Sequence, residues 1–151
     1  MRIELFNANA LNFVELNYTG DNENYIKCSQ ESKFADGDVF NLFAHCFESS
    51  NELYEYFGAT KYNARKIVPL RNELLKNLEE LDKINSVEDF IDYTGNILLG
   101  QNFIINLEKQ DGNWKKNYTM YKQKLITFNS DLFNLVEKCI EKGYILWVIG
   151  Y

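Results

Sequence analysis

The sequence contains few side chains suited to nucleophilic or metal chemistry: one histidine, His45, and three cysteines, Cys28, Cys46 and Cys139. His45 and Cys46 are adjacent, so on a helix their side chains point about 100° apart, and we expect them not to form a nucleophile and base pair with each other. The alternative is that the fold brings Cys28 or Cys139 next to His45. A partly buried histidine without a catalytic role is the more common situation.

Recognised motifs for metal, nucleotide or ester chemistry are absent from the sequence. There is no Cys-x-x-Cys, no His-Glu-x-x-His and no calcium-binding loop, so we predict no metal and no cofactor. Gly95 and Gly100 lack the glycine spacing and the following lysine of a phosphate-binding loop. The Gly-x-Ser-x-Gly motif of serine hydrolases does not occur either. The sequence therefore favours a protein that is not an enzyme.

Acidic residues are concentrated in the first two-thirds of the chain. The net charge is −6, and residues 1–100 contain 17 Asp or Glu against 9 Lys or Arg, whereas residues 101–151 contain 5 against 7. Seven carboxylates in two consecutive predicted helices form a predicted acidic face: Glu73, Glu79, Glu80, Asp82, Glu88, Asp89 and Asp92. Such charge ordinarily keeps a protein soluble. The sharper hypothesis is a docking surface for a basic partner, because complementary charge steers encounter and sets specificity.

A second charged segment combines aromatic and basic residues: Trp114, Tyr118 and Tyr121 with Lys115, Lys116, Lys122 and Lys124. Such a surface could stack nucleic-acid bases. At helical spacing, however, the aromatic residues form one stripe and the lysines lie off it, which is typical of a helix that packs on a core. Since the negative chain also repels phosphate backbones, we expect no nucleic acid and no membrane among the partners.

The pattern of apolar residues predicts strands at both ends of the chain. Arg2–Phe6 and Leu11–Tyr18 have the period of two that a half-buried strand requires. A turn at Gly20–Asn22 favours a hairpin, with Tyr25–Cys28 as its returning strand. The nearly continuous apolar run Tyr144–Ile149 predicts a strand buried on both faces of the same sheet.

Between these strands the apolar period changes to 3.6. A short helix is predicted from Asp38 through Phe47, after the capping sequence at Asp36. A second is predicted from Ser49 to Gly58, where Glu52 has capping-box spacing, and Thr60 is expected to cap a further turn or two.

The clearest amphipathic helix is predicted to begin at Pro69. Its inward residues are Leu70, Leu74, Leu78 and Leu81, whereas Asn77 is assigned to the outward face with the charged residues. Ser86 is predicted to start the next helix.

Residues 102–128 allow two interpretations. The alternation of Phe103, Ile105 and Leu107, followed by Asp111-Gly112, indicates a strand and a hairpin, but the spacing from Trp114 onward is helical. We favour a strand followed by a helix. Ser130 is expected to cap a last helix that Gly143 ends.

These observations predict one α+β domain over residues 1–151, with helices packed on a small, mainly antiparallel sheet made of N-terminal strands and a buried C-terminal strand. No membrane span or signal peptide is evident and the cysteines suggest reduced thiols, so we expect a cytoplasmic protein. Small size, acidity and missing catalytic motifs are typical of bacterial immunity and inhibitor proteins, and we expect a cognate basic toxin, for example a nuclease, as the partner. The alternatives are a small enzyme or ligand-binding domain with a site around His45, and an inhibitor that mimics nucleic acid with its carboxylates.

Overall fold

The computed structural model describes residues 1–8 and 12–150, over which six helices pack on a four-stranded antiparallel sheet. The strands are β1 (Val14–Asn17), β2 (Lys33–Ala35), β3 (Ala59–Tyr62) and β4 (Leu146–Ile149). Their order in the sheet is β2-β1-β4-β3, and each neighbouring pair is antiparallel. The predicted α+β class, with N-terminal strands and a C-terminal strand in one antiparallel sheet, is confirmed.

The C-terminal strand β4 lies inside the sheet, between β1 and β3, and all four of its residues are buried. Gly143 ends the preceding helix in a left-handed conformation with φ 68°, and the backbone N–H of Tyr144 donates to the Cys139 carbonyl at 2.9 Å. Both the helix end at Gly143 and the buried strand that follows it were predicted, because each depends on local residue types.

The N-terminal strands differ from the prediction. Arg2–Phe6 is not a strand, since it contributes only the isolated bridge between Phe6 and Phe34. The second predicted strand is shorter than expected, and its first residue, Leu11, lies outside the described residues. The hairpin partner of this strand is β2 and not Tyr25–Cys28.

The segment after the turn is held by side chains instead of a strand ladder. The buried carboxylate of Glu15 accepts the backbone N–H of Cys28 at 2.9 Å and the hydroxyl of Ser32 at 2.7 Å. The Asn17 amide donates to the Ile26 carbonyl at 2.6 Å. Because β1 supplies these polar groups, residues 25–32 follow an irregular path to β2.

The helices are α1 (Gly37–Asn41), α2 (Ala44–Ser50), α3 (Ile67–Asp82), α4 (Val87–Gly95), α5 (Gly100–Gln110) and α6 (Tyr118–Lys142). The Asp36 side chain caps α1 as expected, accepting the N–H of Asp38 at 3.2 Å. The first predicted helix divides at Leu42 and Phe43 into α1 and α2. In α3, Pro69 is the third residue and not the first, and a proline is tolerated there because the first N–H groups of a helix have no intrahelical partner.

The predicted helix from Ser49 to Gly58 is wrong. Helix α2 ends at Ser50, and Asn51 is extended, with its side-chain amide donating to the Lys61 carbonyl at 3.2 Å. Thr60 lies in strand β3 and caps no helix. Strand β3 pairs with β4 across the sheet, a long-range contact that the local capping pattern cannot reveal.

Residues 102–128 contain no strand. Phe103 and Leu107, one helical turn apart, are buried on one side of α5, whereas Ile105 between them is 51% exposed. Asp111 begins an interhelical turn instead of a hairpin, and its carboxylate accepts the Tyr121 hydroxyl at 2.9 Å. Helix α6 then runs unbroken past Ser130, whose hydroxyl donates to the Ile126 carbonyl within the helix. A short alternating apolar pattern fits either a helix or a strand. Here the helix forms because it buries Phe103 and Leu107 together on the core.

One hydrophobic cluster extends from Val14 in β1 to Val148 in β4 and includes residues of every helix. At its centre, the rings of Phe43 and Phe128 lie 4.8 Å apart. Within residues 1–8 and 12–150, no helix has the length and apolar character needed to cross a membrane.

Candidate functional site

His45 lies on α2 and faces an open groove of about 380 Å³ between α3 and α4. The groove is lined by His45, Asn77, Glu80, Lys83, Ile84, Asp89, Asp92, Tyr93, Asn96 and Ile97. It thus brings together His45, the centre of one sequence hypothesis, and three carboxylates of the predicted acidic face, which belong to the other. We call this feature the α3–α4 groove.

Glu80, Asp89 and Asp92 reach the groove from two helices. Glu80 is paired with Lys83 at 2.5 Å, and this pair is largely exposed to solvent. Asp92 is exposed and makes no ion pair within the described part of the chain. The groove therefore presents three carboxylates against one ammonium group.

Asp89 has a structural role besides its place in the groove. Its carboxylate accepts the N–H of Asn85 at 2.9 Å, and the Ser86 hydroxyl accepts the N–H of Asp89 at 3.0 Å, which caps α4 as the sequence predicted. The hydrogen bond from the Asn85 backbone, followed by hydrogen bonding from the side chain and backbone of Ser86, holds the pKa of the Asp89 carboxyl below its usual value against the opposing effect of desolvation. Asp89 is therefore ionised at neutral pH and is a poor position for substitution.

The other four predicted acidic residues do not line the groove. Glu73 and Asp82 are nine residues apart on α3, so their side chains project about 180° from each other. Glu73 pairs with Lys76 at 2.5 Å, and Glu79, Asp82 and Glu88 are exposed on other parts of the helix surfaces. The seven carboxylates thus surround two helices, and only Glu80, Asp89 and Asp92 converge on one concave site.

A buried polar network closes the inner side of the groove. The side-chain amide of Asn77 donates to Asn129 Oδ1 at 2.9 Å and accepts the Tyr93 hydroxyl at 3.0 Å. Asn129, on α6, donates in turn to the Leu74 carbonyl at 3.0 Å. Sequence reasoning wrongly assigned Asn77 to the outward face: it is 3% exposed and continues the spacing of the buried Leu70, Leu74 and Leu81. The spacing of these leucines was the signal that could have placed Asn77 on the inward face. The prediction instead gave that inward position to Leu78, which is half-buried.

The His45 ring is held neutral by its surroundings. Burial lowers the pKa of the imidazole below its usual 6.5, and interactions with the Asn77 side chain and the Leu42 carbonyl oppose this shift without overcoming it. Nδ1 is buried, and over the described residues it has no hydrogen-bond partner. An unpaired buried ring nitrogen is uncommon in folded proteins.

Cys46 contacts His45, contrary to the expectation for adjacent helix residues. The Sγ–Nε2 distance is 3.5 Å, so the two side chains meet although they leave the helix about 100° apart. Yet the thiol is 1% exposed and lies 3.7 Å from the Glu73 carbonyl, to which it donates. Burial raises the pKa of Cys46 to about 12, so a nucleophilic thiolate does not form at neutral pH.

Neither of the other cysteines lines the groove. Cys139 is buried in α6, where desolvation raises its pKa to about 12. Cys28 lies in the irregular segment beside Glu15, and its pKa is also raised, first by burial. No cluster of three His, Cys, Asp or Glu side chains suited to a metal occurs in the residues that the structure places.

The aromatic and basic segment packs inwards, as its spacing predicted. Trp114 is 1% and Tyr121 is 5% exposed, so neither ring is available for stacking on a base. Lys122 donates to the carbonyls of Asp82 and Ile84, at 3.0 and 2.7 Å, joining α6 to the end of α3.

The fold and the groove together define an α+β protein with an acidic interhelical cleft and a neutral, half-buried histidine. No protein-family model, curated protein or solved structure matches the chain.

Proposed function

We propose that this chain is a protein-binding module, a bacterial immunity or inhibitor protein that acts in the cytoplasm on a cognate basic toxin. In this proposal the α3–α4 groove receives lysine or arginine side chains of the partner. The observation that carries the proposal is the convergence of Glu80, Asp89 and Asp92 on one concave site with a single lysine. Charged groups arranged in this way accelerate encounter and fix the orientation of a complementary partner.

The chemistry of the groove supports binding over catalysis. Its acidic groups are exposed and can contact a partner without rearrangement of the core, whereas the thiol beside His45 is buried and protonated. A cationic side chain entering between the helices would meet Asp92, which has no competing ion pair in the structure described, and Glu80, whose exposed pair with Lys83 costs little to open.

The proposal is tested with two double variants of equal charge. Glu80→Lys with Asp92→Lys reverses two groove carboxylates, and Glu79→Lys with Glu88→Lys reverses two exposed carboxylates of the same helices outside the groove lining. We expect a basic protein from the source cells to be captured by the native chain and by the outer variant, but not by the groove variant. The experiment is done near 0.15 M salt, where charges more than about 8 Å apart are screened.

The captured protein is then purified and its enzymatic activity, with nucleic-acid hydrolysis tried first, is measured with and without this chain. Inhibition by the native chain and its loss in the groove variant are the expected results. Equal capture by both double variants, or capture without inhibition, would count against an inhibitor that acts through this groove.

A second candidate function, a ligand-binding domain around His45, is favoured by the position of this imidazole in the groove lining beside Glu80, Asp89 and Asp92. A neutral imidazole nitrogen next to carboxylates suits a small cationic or hydrogen-bond-donating molecule. Titration of the native chain with small alkylguanidinium compounds, followed through the ring NMR signals of His45, tests it. Saturable shifts of these signals at submillimolar concentration, together with a binding heat that calorimetry detects for the native chain but not for His45→Gln, would support this second function.

A further inference from the structure

Beside the groove lies a second cavity of about 540 Å³ with a different character. It is lined by residues 55–58, which precede β3, and by Leu98 and Leu99, which connect α4 to α5. Three large apolar side chains here are open to solvent: Phe57 is 82%, Leu98 is 66% and Leu99 is 43% exposed. We call this feature the apolar cavity. Exposed apolar side chains that cluster in one concavity mark contact sites more often than isolated ones do.

Close backbone contacts hold both of these turns in place. The N–H of Gly150, after β4, donates to the Gly58 carbonyl at 2.9 Å, and a Cβ atom at Gly150 would collide with the Tyr56 carbonyl. A Cβ atom at Gly100 would likewise collide with the Thr94 carbonyl. Each turn is therefore packed tightly against an element of the core. The turns that carry Phe57 and the two leucines are therefore already ordered before binding. Less conformational entropy is lost when a partner binds to them.

The connection between α4 and α5 contributes residues to both the α3–α4 groove and the apolar cavity. Asn96 and Ile97 line the groove, and the next two residues, Leu98 and Leu99, line the cavity. A second connection runs along α2, where Glu48 lies one turn after His45 and accepts the Tyr56 hydroxyl at 3.4 Å. The α4–α5 connection and helix α2 therefore link the acidic groove to the apolar cavity, and we call the two linings together one surface.

Charge along this surface is of one sign apart from a single lysine. Glu55 lines the apolar cavity and Glu48 borders it, while among the residues that the structure describes Lys83 is the only lysine or arginine in either lining. A partner that offered only an apolar side chain would gain nothing from the acidic residues around the cavity. A partner that offered only a cationic side chain would gain nothing from the apolar cavity. The complementary surface is therefore one in which lysine or arginine lies next to leucine, phenylalanine or a similar side chain.

We propose that the groove and the apolar cavity bind one segment of a basic protein in two places, a cationic side chain in the groove and a large apolar side chain in the cavity. This inference rests on the proposed function and adds the chemistry of the partner's contact segment. The acidic half attracts the partner, and burial of the exposed Phe57 and Leu98 side chains adds apolar contact energy.

The test uses two fluorescent peptides as probes, octa-arginine and the same peptide with leucines placed between the arginines. The cavity variant is Phe57→Ser with Leu98→Ser, and its matched control is Ile26→Ser with Ile105→Ser, which removes two exposed apolar side chains that line neither concavity. We expect the leucine-containing peptide to bind the native chain more tightly than octa-arginine. The cavity variant should weaken its binding about tenfold, and the control should not.

The variants also separate the two proposals. If Glu80→Lys with Asp92→Lys weakens the binding of both peptides while the cavity variant weakens the binding of neither, the two-place inference is wrong. The proposal that the acidic groove binds a basic partner is then retained. If the groove variant leaves both peptides unaffected, or if neither peptide binds the native chain, both proposals fail. Sedimentation of the native chain tests whether a second copy of the chain occupies the cavity. A dimer that the cavity variant dissociates would assign the cavity to that second copy and overturn the inference.

Discussion

The side-chain oxygen of Asn77 accepts the Tyr93 hydroxyl at 3.0 Å and thereby joins α3 to α4 at the inner side of the groove. The same amide donates to Asn129 on α6, so a single buried residue connects three helices. The spacing between α3 and α4, and with it the shape of the acidic groove, depends on this network more than on the exposed charges.

Replacing Asn77 by Leu should destabilise the protein by about 2–3 kcal/mol, because Tyr93 and Asn129 both lose a partner in a buried site. Tyr93→Phe should cost about 1 kcal/mol, since it removes one hydrogen bond and leaves the ring in place. Urea unfolding measures both values. Tyr144→Phe is the control, because within the described residues the Tyr144 hydroxyl makes no hydrogen bond and its ring only stacks on Tyr18. Equal effects at the two tyrosines would contradict a role for the network.

Stability should fall as the pH is lowered below about 6.5, in part through His45. Burial lowers the pKa of this imidazole in the folded chain, so the unfolded chain binds the proton more readily. The free energy of unfolding therefore rises with pH through the interval between the folded pKa and 6.5. This contribution of His45 to stability is lost on acidification.

Urea unfolding at several pH values between 5 and 7.5 tests this dependence, and His45→Gln should flatten it. The carboxyls with lowered pKa, Asp21, Asp89 and Asp111, act at lower pH because their usual value is 3.8. A native chain and a glutamine variant with the same slope in this interval would show that His45 does not contribute.

Glu15→Leu should destabilise the chain by roughly 2–4 kcal/mol, because the part-buried N–H of Cys28, the Ser32 hydroxyl and the Asn17 amide lose their common acceptor. Hydrogen exchange should become faster at the Cys28 amide before it changes in β4. The exposed Glu31, substituted in the same way, serves as the control. Unchanged protection of Cys28 in the Glu15 variant would mean that the irregular segment is held by other contacts.

Thiol modification should distinguish the three cysteines. Cys28 is partly exposed, whereas Cys46 and Cys139 are buried with pKa values raised to about 12. Iodoacetamide at pH 8 should therefore label Cys28 first, and the other two only at the rate of unfolding. Peptide mass spectrometry gives the order. Rapid labelling of Cys46 in the native state would revive a nucleophilic role beside His45.

Several elements followed from neighbouring residues alone. The Ser86 cap of α4, the Gly143 end of α6 and the apolar run of β4 each depend on preferences that act over a few positions, and each was predicted. The class of fold also followed, since strand-like ends around a helical middle leave few ways to bury the apolar faces.

Other elements depended on partners far away in the chain. Residues 59–62 are a strand only because β4 offers them an edge, and residues 103–107 are a helix because Phe103 and Leu107 pack on the core while Ile105 faces solvent. Nothing within either segment distinguishes these outcomes, because a short apolar pattern fits both periods.

The candidate site shows the same division. The residue types alone established that the chain is acidic and poor in reactive side chains, with carboxylates gathered in two helices. Which carboxylates meet, and that His45 and Asn77 lie between them, was decided by the packing of α2, α3 and α4. Convergence of side chains on one concave surface is a property of how helices are placed in space, and residues separated by dozens of positions carry no local record of it.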